Sequence, residues 1–581
     1  MKMKYCSDLI VDLLKNMGVD YIAFNPGSTF RGIHESLVNY GNNSKPKIIT
    51  CCHESIAVSI AQGYFKATGK PMAVAVHSVG GLLNGSFAIY TAQMDQSAML
   101  IIGGQAYEAV EQREPADGPY VALVLGNAVR DYVKWDDQPV SIDSLTESFY
   151  RGYQMTMSEP KGPVYITVSE GLQNQLMDES YRVPDAWRYP VSKPPQADAE
   201  ALQEIAGLLI NAKCPLIIAD YLGRNPDAVK SLVALSELLG IPVVDAGSRF
   251  NYPNTHPLDL TYAKDELLSS ADVILGLDMH NFHGALCRIE QDSGRVNGNM
   301  YPKDAKIIHI GLQELHLKSW IPHTGRLQPM HLSICADTSL ALPALIEVCK
   351  QEIKRHTPID RQKRKTELTE IHKNWRKNFR KQARKTSKEK PISLAFLASE
   401  IWEVVKNYDW VLVNRHLRGW ARRLWDWEKP HQWLGGLDGG TVGYGVAHSI
   451  GGALAHCGSN RLCIDLQHDG DFLYTPSALW TAAHHKIPLL IVMFNNRSYR
   501  ATFDIQKTLS KKRGRSTASA VIATDLTKPA VDFSGIASSF GIYGQGPIEE
   551  PNEIRPALER AVHHVLERKE CALVDIITKA R

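Results

Sequence analysis

Short apolar runs alternate with amphipathic segments through most of the chain, and this alternation constrains the fold more than any other feature. The runs include "GPVYITVS", "CPLIIAD", "IPVVDAG", "ADVILGL", "AKIIHIG" and "ALVDIIT". Continuous apolar strands separated by helical patterns are typical of parallel sheets covered by helices on both faces. The sequence therefore predicts an α/β protein built from doubly wound parallel sheets.

Two interruptions of the alternation predict three domains. A Pro-rich polar stretch near "YPVSKPPQADAE" separates residues 1–180 from residues 197–350. Residues 351–390 include the basic, helically spaced stretch "RQKRKTELTEIHKNWRKNFRKQARKTSKEK". We expect a solvated linker helix there, because glutamates are interleaved with its basic residues. Residues 391–581 form the third predicted domain.

Composition excludes several classes of protein. The 581-residue chain has a formal net charge of +3, which is too small to favour nucleic acid as a partner. Its ten cysteines include no Cys-x-x-Cys pair, so we expect reduced structural thiols and no zinc site. No apolar run is long enough to span a membrane. The opening "MKMKYCSDLIVDLLKNMGVDYIAF" predicts an amphipathic first helix, and we expect a cytoplasmic protein.

Polar residues follow two predicted strands, 462–466 and "PLLIVMF", and they begin and end the segment 468–496, "HDGDFLYTPSALWTAAHHKIPLLIVMFNN". Parallel strands end at one sheet edge, so Asp469 and Asn496 are expected to lie side by side. A carboxylate, an amide oxygen and a backbone carbonyl suit Mg²⁺ when a phosphate completes the coordination shell. Gly470 lets the backbone approach that phosphate. The segment predicts a metal-bridged diphosphate site; the alternative is that the two asparagines only start a surface turn.

The same segment resembles the signature of thiamine-diphosphate enzymes, which is Gly-Asp-Gly followed, after a longer stretch, by Asn-Asn. The resemblance implies that Asp469, Asn496 and the backbone carbonyl of Ser498 bind Mg²⁺, and that Gly470 and Asp471 contact the cofactor. Asn496 is thus both a metal ligand and part of the cofactor site. One residue departs from the signature: His468 stands where the family has its first glycine.

Two further segments resemble the family. "IITCCHESIAVSIAQGYFKATGKP" is similar to the segment with the catalytic glutamate, and "GGLDGGTVGYGVAHSIGGAL" to the glycine-rich loop at the aminopyrimidine. The resemblance implies that Glu54 binds the aminopyrimidine, that the Gly440 carbonyl accepts from its amino group, and that Val442 is an apolar wedge. Taken alone, Glu54 would only complement a helix dipole, and the glycines would form an ordinary turn.

Within the family, benzoylformate decarboxylase gives the strongest local resemblance, through "NPGS" at 25–28 and "HS" at 77–78. It implies that Ser28 binds the substrate carboxylate and that His77 moves protons, although a structural role for His77 is the alternative. The family decarboxylase also uses a middle-domain histidine. "LDMHNFHGAL" offers His280 and His283, and we favour His283.

The resemblance also implies the assembly and the cofactors. The three domains would be pyrimidine-binding, middle and diphosphate-binding, with each active site between the first domain of one subunit and the last domain of another. We therefore expect a homodimer or homotetramer using thiamine diphosphate and Mg²⁺. The middle segment has no Gly-x-Gly-x-x-Gly turn, so FAD is not supported.

Four arginines are expected near the cofactor: Arg415, Arg418, Arg497 and Arg500. They are candidates for pairing with carboxylates or diphosphate, or for recognising an acidic substrate. We assign Arg418 to the cofactor.

These features favour a lyase that decarboxylates a 2-oxo acid, with a released or ligated aldehyde product. One alternative is an acetolactate-synthase-like carboligase, a transferase that joins the aldehyde unit to a second 2-oxo acid. Another is a non-catalytic paralogue subunit, which the departure at His468 motivates.

Overall fold

Three parallel sheets organise the chain, which confirms the predicted α/β class. The computed structural model describes residues 4–107, 110–113, 115–122, 124–178, 180–290, 296–316, 318, 326–355, 360–436 and 442–579. Within these ranges, no helix has the length and apolar character needed to cross a membrane.

The first sheet contains six parallel strands in the order β2-β1-β3-β4-β6-β5. Its elements are α1 Cys6–Asn16, β1 Tyr21–Phe24, α2 Arg31–Glu35, β2 Lys47–Thr50, α3 Glu54–Thr68, β3 Met72–Val76, α4 Gly80–Met94, β4 Met99–Gln105, β5 Trp135–Asp137, α5 Ile142–Met157, β6 Pro163–Ser169 and α6 Glu170–Gln173. Residues of β3 alternate between two cores: Val74 and Val76 pack on one face, Ala73 and Ala75 on the other. The strand is continuously apolar because both of its faces are buried.

The second sheet contains five parallel strands in the order β13-β12-β9-β7-β8. Its elements are α7 Ala199–Asn211, β7 Pro215–Ala219, α8 Pro226–Leu239, β8 Val243–Asp245, α9 Lys264–Ser270, β9 Val273–Leu277, α10 Phe282–Leu286, β10 Cys287–Ile289, β11 Val296–Asn299, β12 Lys306–Gly311, α11 Gln313–His316, β13 Leu332–Cys335 and α12 Thr338–Ile353. Strands β10 and β11 form a separate antiparallel pair.

The basic segment forms α13, Arg361–Lys385, but the expectation of a solvated helix is wrong for one of its faces. Leu368 and Phe379 are buried on that face. The Arg364 guanidinium donates to backbone carbonyls at the end of α8, and the Phe379 ring contacts Trp420 of the third domain. A few apolar residues at helical spacing are enough to dock a helix that is otherwise highly charged.

The third sheet contains five parallel strands in the order β14-β15-β16-β18-β17. Its elements are α14 Leu394–Val405, β14 Trp410–Asn414, α15 Trp420–Leu424, α16 Gly445–Leu454, β15 Leu462–His468, α17 Asp469–Phe472, α18 Ala478–His484, β16 Leu490–Asn495, α19 Arg500–Lys512, α20 Phe533–Ser539, β17 Tyr543–Ile548, α21 Ile554–Arg568 and β18 Ala572–Ile577. Strand β15 pairs with β16 in a register that sets His468 opposite Phe494. The two polar turns predicted from the sequence therefore follow the carboxyl ends of two neighbouring strands.

Helices α3 and α16 join the first and third domains through direct backbone contact. A Cβ atom built on Gly63 would lie 1.9 Å from the backbone oxygen of His448, and one built on Gly451 would lie 2.0 Å from that of Ile60. Real atoms do not approach so closely, so the helices pack at this distance only because both positions are glycine.

Replacing Gly451 with alanine is expected to lower the free energy of unfolding by about 1–3 kcal/mol, because the new methyl group must push the two helices apart. Gly207 lies in α7 with no heavy atom within 4 Å of an added Cβ. Gly207→Ala is the matched control, and we expect it to stabilise the protein by roughly 0.5–1 kcal/mol through helix propensity. Denaturant unfolding of both variants checks the difference, and equal effects would contradict the role assigned to Gly451.

Candidate active site

The two polar turns meet at the carboxyl ends of neighbouring parallel strands in the third sheet. Asp469 follows β15 directly and is fully buried, and Asn496 follows β16. The backbone N–H of Ser498 donates to Asp469 Oδ2 at 3.2 Å, which ties the second turn to the first. The structure thus brings together the three residues predicted to bind a metal.

Two oxygen atoms in this group have no hydrogen-bond donor. Asp469 Oδ1 and Asn496 Oδ1 are both buried and unsatisfied within the described structure. Buried polar atoms are almost always paired, so an unsatisfied carboxylate oxygen and an unsatisfied amide oxygen on two turns that contact each other fit a hard cation. The part of the chain described above holds no cluster of three or more His, Cys, Asp or Glu residues that suits a softer metal.

A cavity of about 330 Å³ adjoins these residues, and we call it the strand-edge cavity. The described residues that line this cavity all lie between positions 415 and 502, and they include Gly470. An added Cβ on Gly470 would lie 2.8 Å from the ring of Tyr499. Glycine is therefore needed where the backbone turns into the cavity.

Asp471 holds the neighbouring loop in place. Its carboxylate accepts from the backbone N–H of Gly443 at 2.6 Å and from the Gln467 amide at 2.8 Å. Arg415 Nη2 lies 3.6 Å from the same carboxylate. Asp471 lines the strand-edge cavity while anchoring the loop that follows Val442.

Val442 itself is 39% exposed and lines two cavities. The second has a volume of about 260 Å³ and is also lined by His53 and Ser55 at the start of α3. Gly440, the predicted acceptor for the cofactor amino group, lies outside the described residues.

The loop after β14 has a strained backbone, which the sequence does not predict. Arg415, Leu417 and Arg418 all have positive φ, at 53°, 48° and 53°. Non-glycine residues with positive φ cluster at functional sites, because only a constrained surrounding structure keeps them there. All three residues line the strand-edge cavity.

His416 lies within this loop and also lines the cavity. Its Nδ1 accepts from the backbone N–H of Gly419 at 2.6 Å, so the proton of the neutral ring is on Nε2. Burial lowers the pKa of His416 to about 4. His416 therefore offers a neutral N–H donor near pH 7, and its position directly after a strand of the same edge is the sequence signal that could have identified it.

The other predicted arginines differ in position. Arg500 lines the strand-edge cavity and pairs with Asp504 at 3.0 Å. Arg497 pairs at 2.9 Å with the exposed carboxylate of Glu549.

A second polar centre surrounds Glu54 in the first domain. Glu54 begins α3 and is 4% exposed. The side-chain amides of Asn25 and Asn84 donate to its two carboxylate oxygens at 3.2 and 3.3 Å. The carboxylate is thus buried and held in one orientation by donors from two other segments, neither of which was among the predicted site residues.

Glu54 and His77 both lie close to Gly81. A Cβ built on Gly81 would lie 2.8 Å from Glu54 Oε1 and 3.0 Å from the Cβ of His77. Both predicted catalytic residues therefore approach the same point at the start of α4.

The hydrogen bonds of His77 define its protonation. His77 Nδ1 accepts from the backbone N–H of Thr29 at 3.4 Å, so the Thr29 hydroxyl, 2.9 Å away, also donates to this nitrogen. With Nδ1 accepting, the neutral ring carries its proton on Nε2. Burial lowers the pKa of His77, while the negative charge of Glu54 acts in the opposite direction.

Ser28 lies at the same sheet edge as His77. Ser28 starts the 3-10 turn Ser28–Phe30, which follows β1. Strand β1 pairs with β3, the strand that precedes His77. The side chain of Ser28 is exposed. Gly27 packs directly on the histidine, since an added Cβ there would lie 2.7 Å from the Cβ of His77.

The two middle-domain histidines have different surroundings. His283 bonds to Gln328 at 3.0 Å and contacts Cys287, both of the middle domain. His280 follows β9, pairs with Asp220 and contacts Gln96 of the first domain at 3.2 Å.

Beneath the cavity, Asp465 is fully buried in β15. Its carboxyl accepts from the Asn414 amide at 2.9 Å. Burial, reinforced by the charge of Asp471, raises the pKa of Asp465 to about 8. Because an aspartate in the unfolded chain titrates near 3.8, the folded protein binds the extra proton between these values, and stability falls as pH rises toward 8.

Asp465→Asn is expected to raise the melting temperature relative to wild type, with a difference that grows between pH 5 and pH 9, because the amide cannot ionise. Asp409→Asn is the control, since Arg461 and His431 lower the pKa of that carboxyl. This variant should lose stability, by the same amount at pH 7 and pH 9. Thermal melts across pH check both variants, and a pH-independent effect of Asp465→Asn would contradict the shifted pKa.

Comparisons with known proteins agree with this geometry. The family model "Thiamine pyrophosphate enzyme, N-terminal TPP binding domain" matches residues 5–119. The models for the central domain and the C-terminal TPP binding domain of the same enzymes match residues 202–345 and 416–576.

Similar proteins include acetolactate synthase 3, chloroplastic, of Brassica napus, 23% identical over 508 residues that cover 84% of this chain and 72% of the relative. The chloroplastic acetolactate synthase of Arabidopsis thaliana is 24% identical over 519 residues, 84% of this chain and 70% of the relative.

Solved structures with a similar fold include benzoylformate decarboxylase from Polynucleobacter necessarius, with a TM-score of 0.75, 20% identity and 99% of both chains covered. The 4-hydroxybenzoylformate decarboxylase of Rhodococcus jostii has a TM-score of 0.74 and 19% identity over 100% of both chains. The chain belongs to the thiamine pyrophosphate enzyme family and is a thiamine-diphosphate-dependent enzyme.

Proposed function

We propose that this enzyme decarboxylates a 2-oxo acid, with thiamine diphosphate and Mg²⁺ bound at the edge of the third sheet. The observation that carries the proposal is the approach of Glu54 and His77 to one point at Gly81. A buried carboxylate and a neutral imidazole that extend from one part of the first domain supply the two groups that proton transfers at a 2-oxo acid require.

The metal end of the site would use the unsatisfied oxygens of Asp469 and Asn496 together with the carbonyl of Ser498. Gly470 and Asp471 would border the diphosphate, and Arg418 and His416 would supply positive charge and an N–H donor. Bound thiamine diphosphate supplies the carbanion and the electron sink with which the bond to the carboxylate carbon is broken.

In the first domain, Glu54 would bind the ring nitrogen of the aminopyrimidine. Its burial excludes water, and the amides of Asn25 and Asn84 keep its oxygens in place. A fixed carboxylate needs little reorganisation when a proton moves, which favours the reaction.

His77 would hold or donate the mobile proton through Nε2, while Ser28 would bind the substrate carboxylate. The lowered pKa of His77 keeps the ring neutral near pH 7, so it acts as an N–H donor at that pH. His283 remains our candidate for the middle-domain histidine, and His280, which contacts the first domain, is its alternative.

We propose that a complete site uses two subunits, as the resemblance to the family implies. The hydrogen-bond partners of Glu54 come from residues 25 and 84, whereas the described lining of the strand-edge cavity comes from residues 415–502. We propose a homodimer or homotetramer in which the first domain of one subunit faces the third domain of another. Arg415 and Arg500 at the cavity favour a substrate with a second anionic group.

The second candidate is a carboligase, which the similarity to acetolactate synthases favours. Both reactions release carbon dioxide from the first 2-oxo acid. They differ in the product, which is an aldehyde in one case and a hydroxy-keto acid in the other. Supplying two 2-oxo acids together and identifying the products by mass spectrometry separates the two.

Glu54→Gln is expected to reduce carbon dioxide release at least about 100-fold, since general acid–base groups contribute 10²–10⁴ to rates. The assay uses a panel of aliphatic, aromatic and acidic 2-oxo acids with thiamine diphosphate and Mg²⁺ supplied. Glu35→Gln is the matched control, because Glu35 is exposed on α2 and should tolerate the change. If the wild-type enzyme binds the cofactor but releases carbon dioxide from none of the acids, the decarboxylase proposal is wrong.

A further inference from the structure

His468 is the residue at which this chain departs from the thiamine-diphosphate signature, and it contacts both side chains proposed to bind the metal. Its Nε2 lies 3.1 Å from Asn496 Nδ2. Its Nδ1 lies 2.9 Å from Asp469 Oδ1, although that oxygen has no hydrogen-bond partner. A glycine would make neither contact.

The direction of the first bond follows from the groups involved. Asn496 Nδ2 can only donate, so His468 Nε2 accepts and the ring proton is on Nδ1. Nδ1 lies close to Asp469 Oδ1 but does not hydrogen-bond to it, so this carboxylate oxygen stays unsatisfied.

This bond fixes the orientation of the Asn496 amide. An asparagine side chain can present either its oxygen or its NH₂ group to a neighbour, and only the oxygen binds a cation. With Nδ2 held by the imidazole, Oδ1 is left buried and unsatisfied beside Asp469.

The imidazole is itself held in place. It packs edge-on against the ring of Phe494, with centroids 5.1 Å apart and an interplanar angle of 86°. Its side chain is only 20% exposed. A ring fixed in this way can restrain the amide that bonds to it.

We propose that His468 is a positioning residue that presents the Asn496 oxygen to the divalent cation, and so raises the affinity of the site for Mg²⁺. This inference rests on the proposed function, because it requires Mg²⁺ at Asp469 and Asn496. Residues that orient metal ligands typically contribute 10–100-fold to metal affinity.

Three substitutions separate the two contacts of His468. Gln places an acceptor near the position of Nε2, Asn places a donor near that of Nδ1, and Leu retains bulk without either. Because the proposal depends on the bond from Asn496, His468→Gln should bind the metal within about threefold of wild type. His468→Asn and His468→Leu should bind about 10–100-fold more weakly.

The experiment measures Mn²⁺ binding to the full-length protein in the presence of saturating thiamine diphosphate. Electron paramagnetic resonance reports the concentration of free Mn²⁺. Mg²⁺ is then added to displace the bound Mn²⁺. No turnover is needed. Asp469→Asn is the positive control and should lose binding. His484→Leu is the negative control, since this exposed histidine stacks on Trp480 in α18.

The outcomes distinguish the two proposals. If wild type binds no Mn²⁺ in the presence of thiamine diphosphate, the proposed function is wrong and this inference with it. If wild type binds but all three His468 variants match it or bind more tightly, His468 does not position the ligand. If His468→Asn binds like wild type and His468→Gln does not, the contact with Asp469 is the important one and the inference is overturned.

Discussion

The backbone contact between α3 and α16 is the constraint on which the arrangement of the enzyme depends. Gly63 and Gly451 let the two helices approach until a side chain on one would meet a carbonyl on the other. Glu54 is the first residue of α3, so the helix that packs against the third domain also carries the buried carboxylate. A shift of this contact would move the start of α3 and with it the Glu54 carboxylate, which links packing at the helix interface to the position of this residue.

Much of the fold followed from the sequence because parallel strands have a simple pattern. β9 lies within the predicted run "ADVILGL", and β15 and β16 are each followed by one of the two polar turns. The buried face of α13 is harder to predict from the sequence. Its apolar residues, such as Leu368 and Phe379, are widely spaced among many charges, and their partners belong to two different domains.

The site was predictable only where chemistry follows a strand directly. Asp469 and Asn496 meet because β15 and β16 end at one edge. The amides that hold Glu54 come from a loop after β1 and from α4, and no local pattern joins these segments to residue 54. His416 also follows a strand closely, but its burial and the positive φ angles of the loop around it depend on tertiary structure rather than on residue type.

Two buried carboxylates of the third domain, close together in sequence, have different surroundings. Asp465 lies within β15, where burial favours its neutral form, and protonation removes the charge while the carboxyl keeps its hydrogen bond from the Asn414 amide. Asp469 lies just beyond the end of the same strand, between His468 and the backbone N–H of Ser498, beside an amide oxygen that is also unsatisfied. A proton would satisfy one carboxylate but would leave the Asn496 oxygen unpaired, whereas a cation satisfies both. A few residues along one strand therefore separate a structural acid, Asp465, from the carboxylate that we propose as a metal ligand, Asp469, and the polar residues at positions 468 and 496 make the difference between their surroundings.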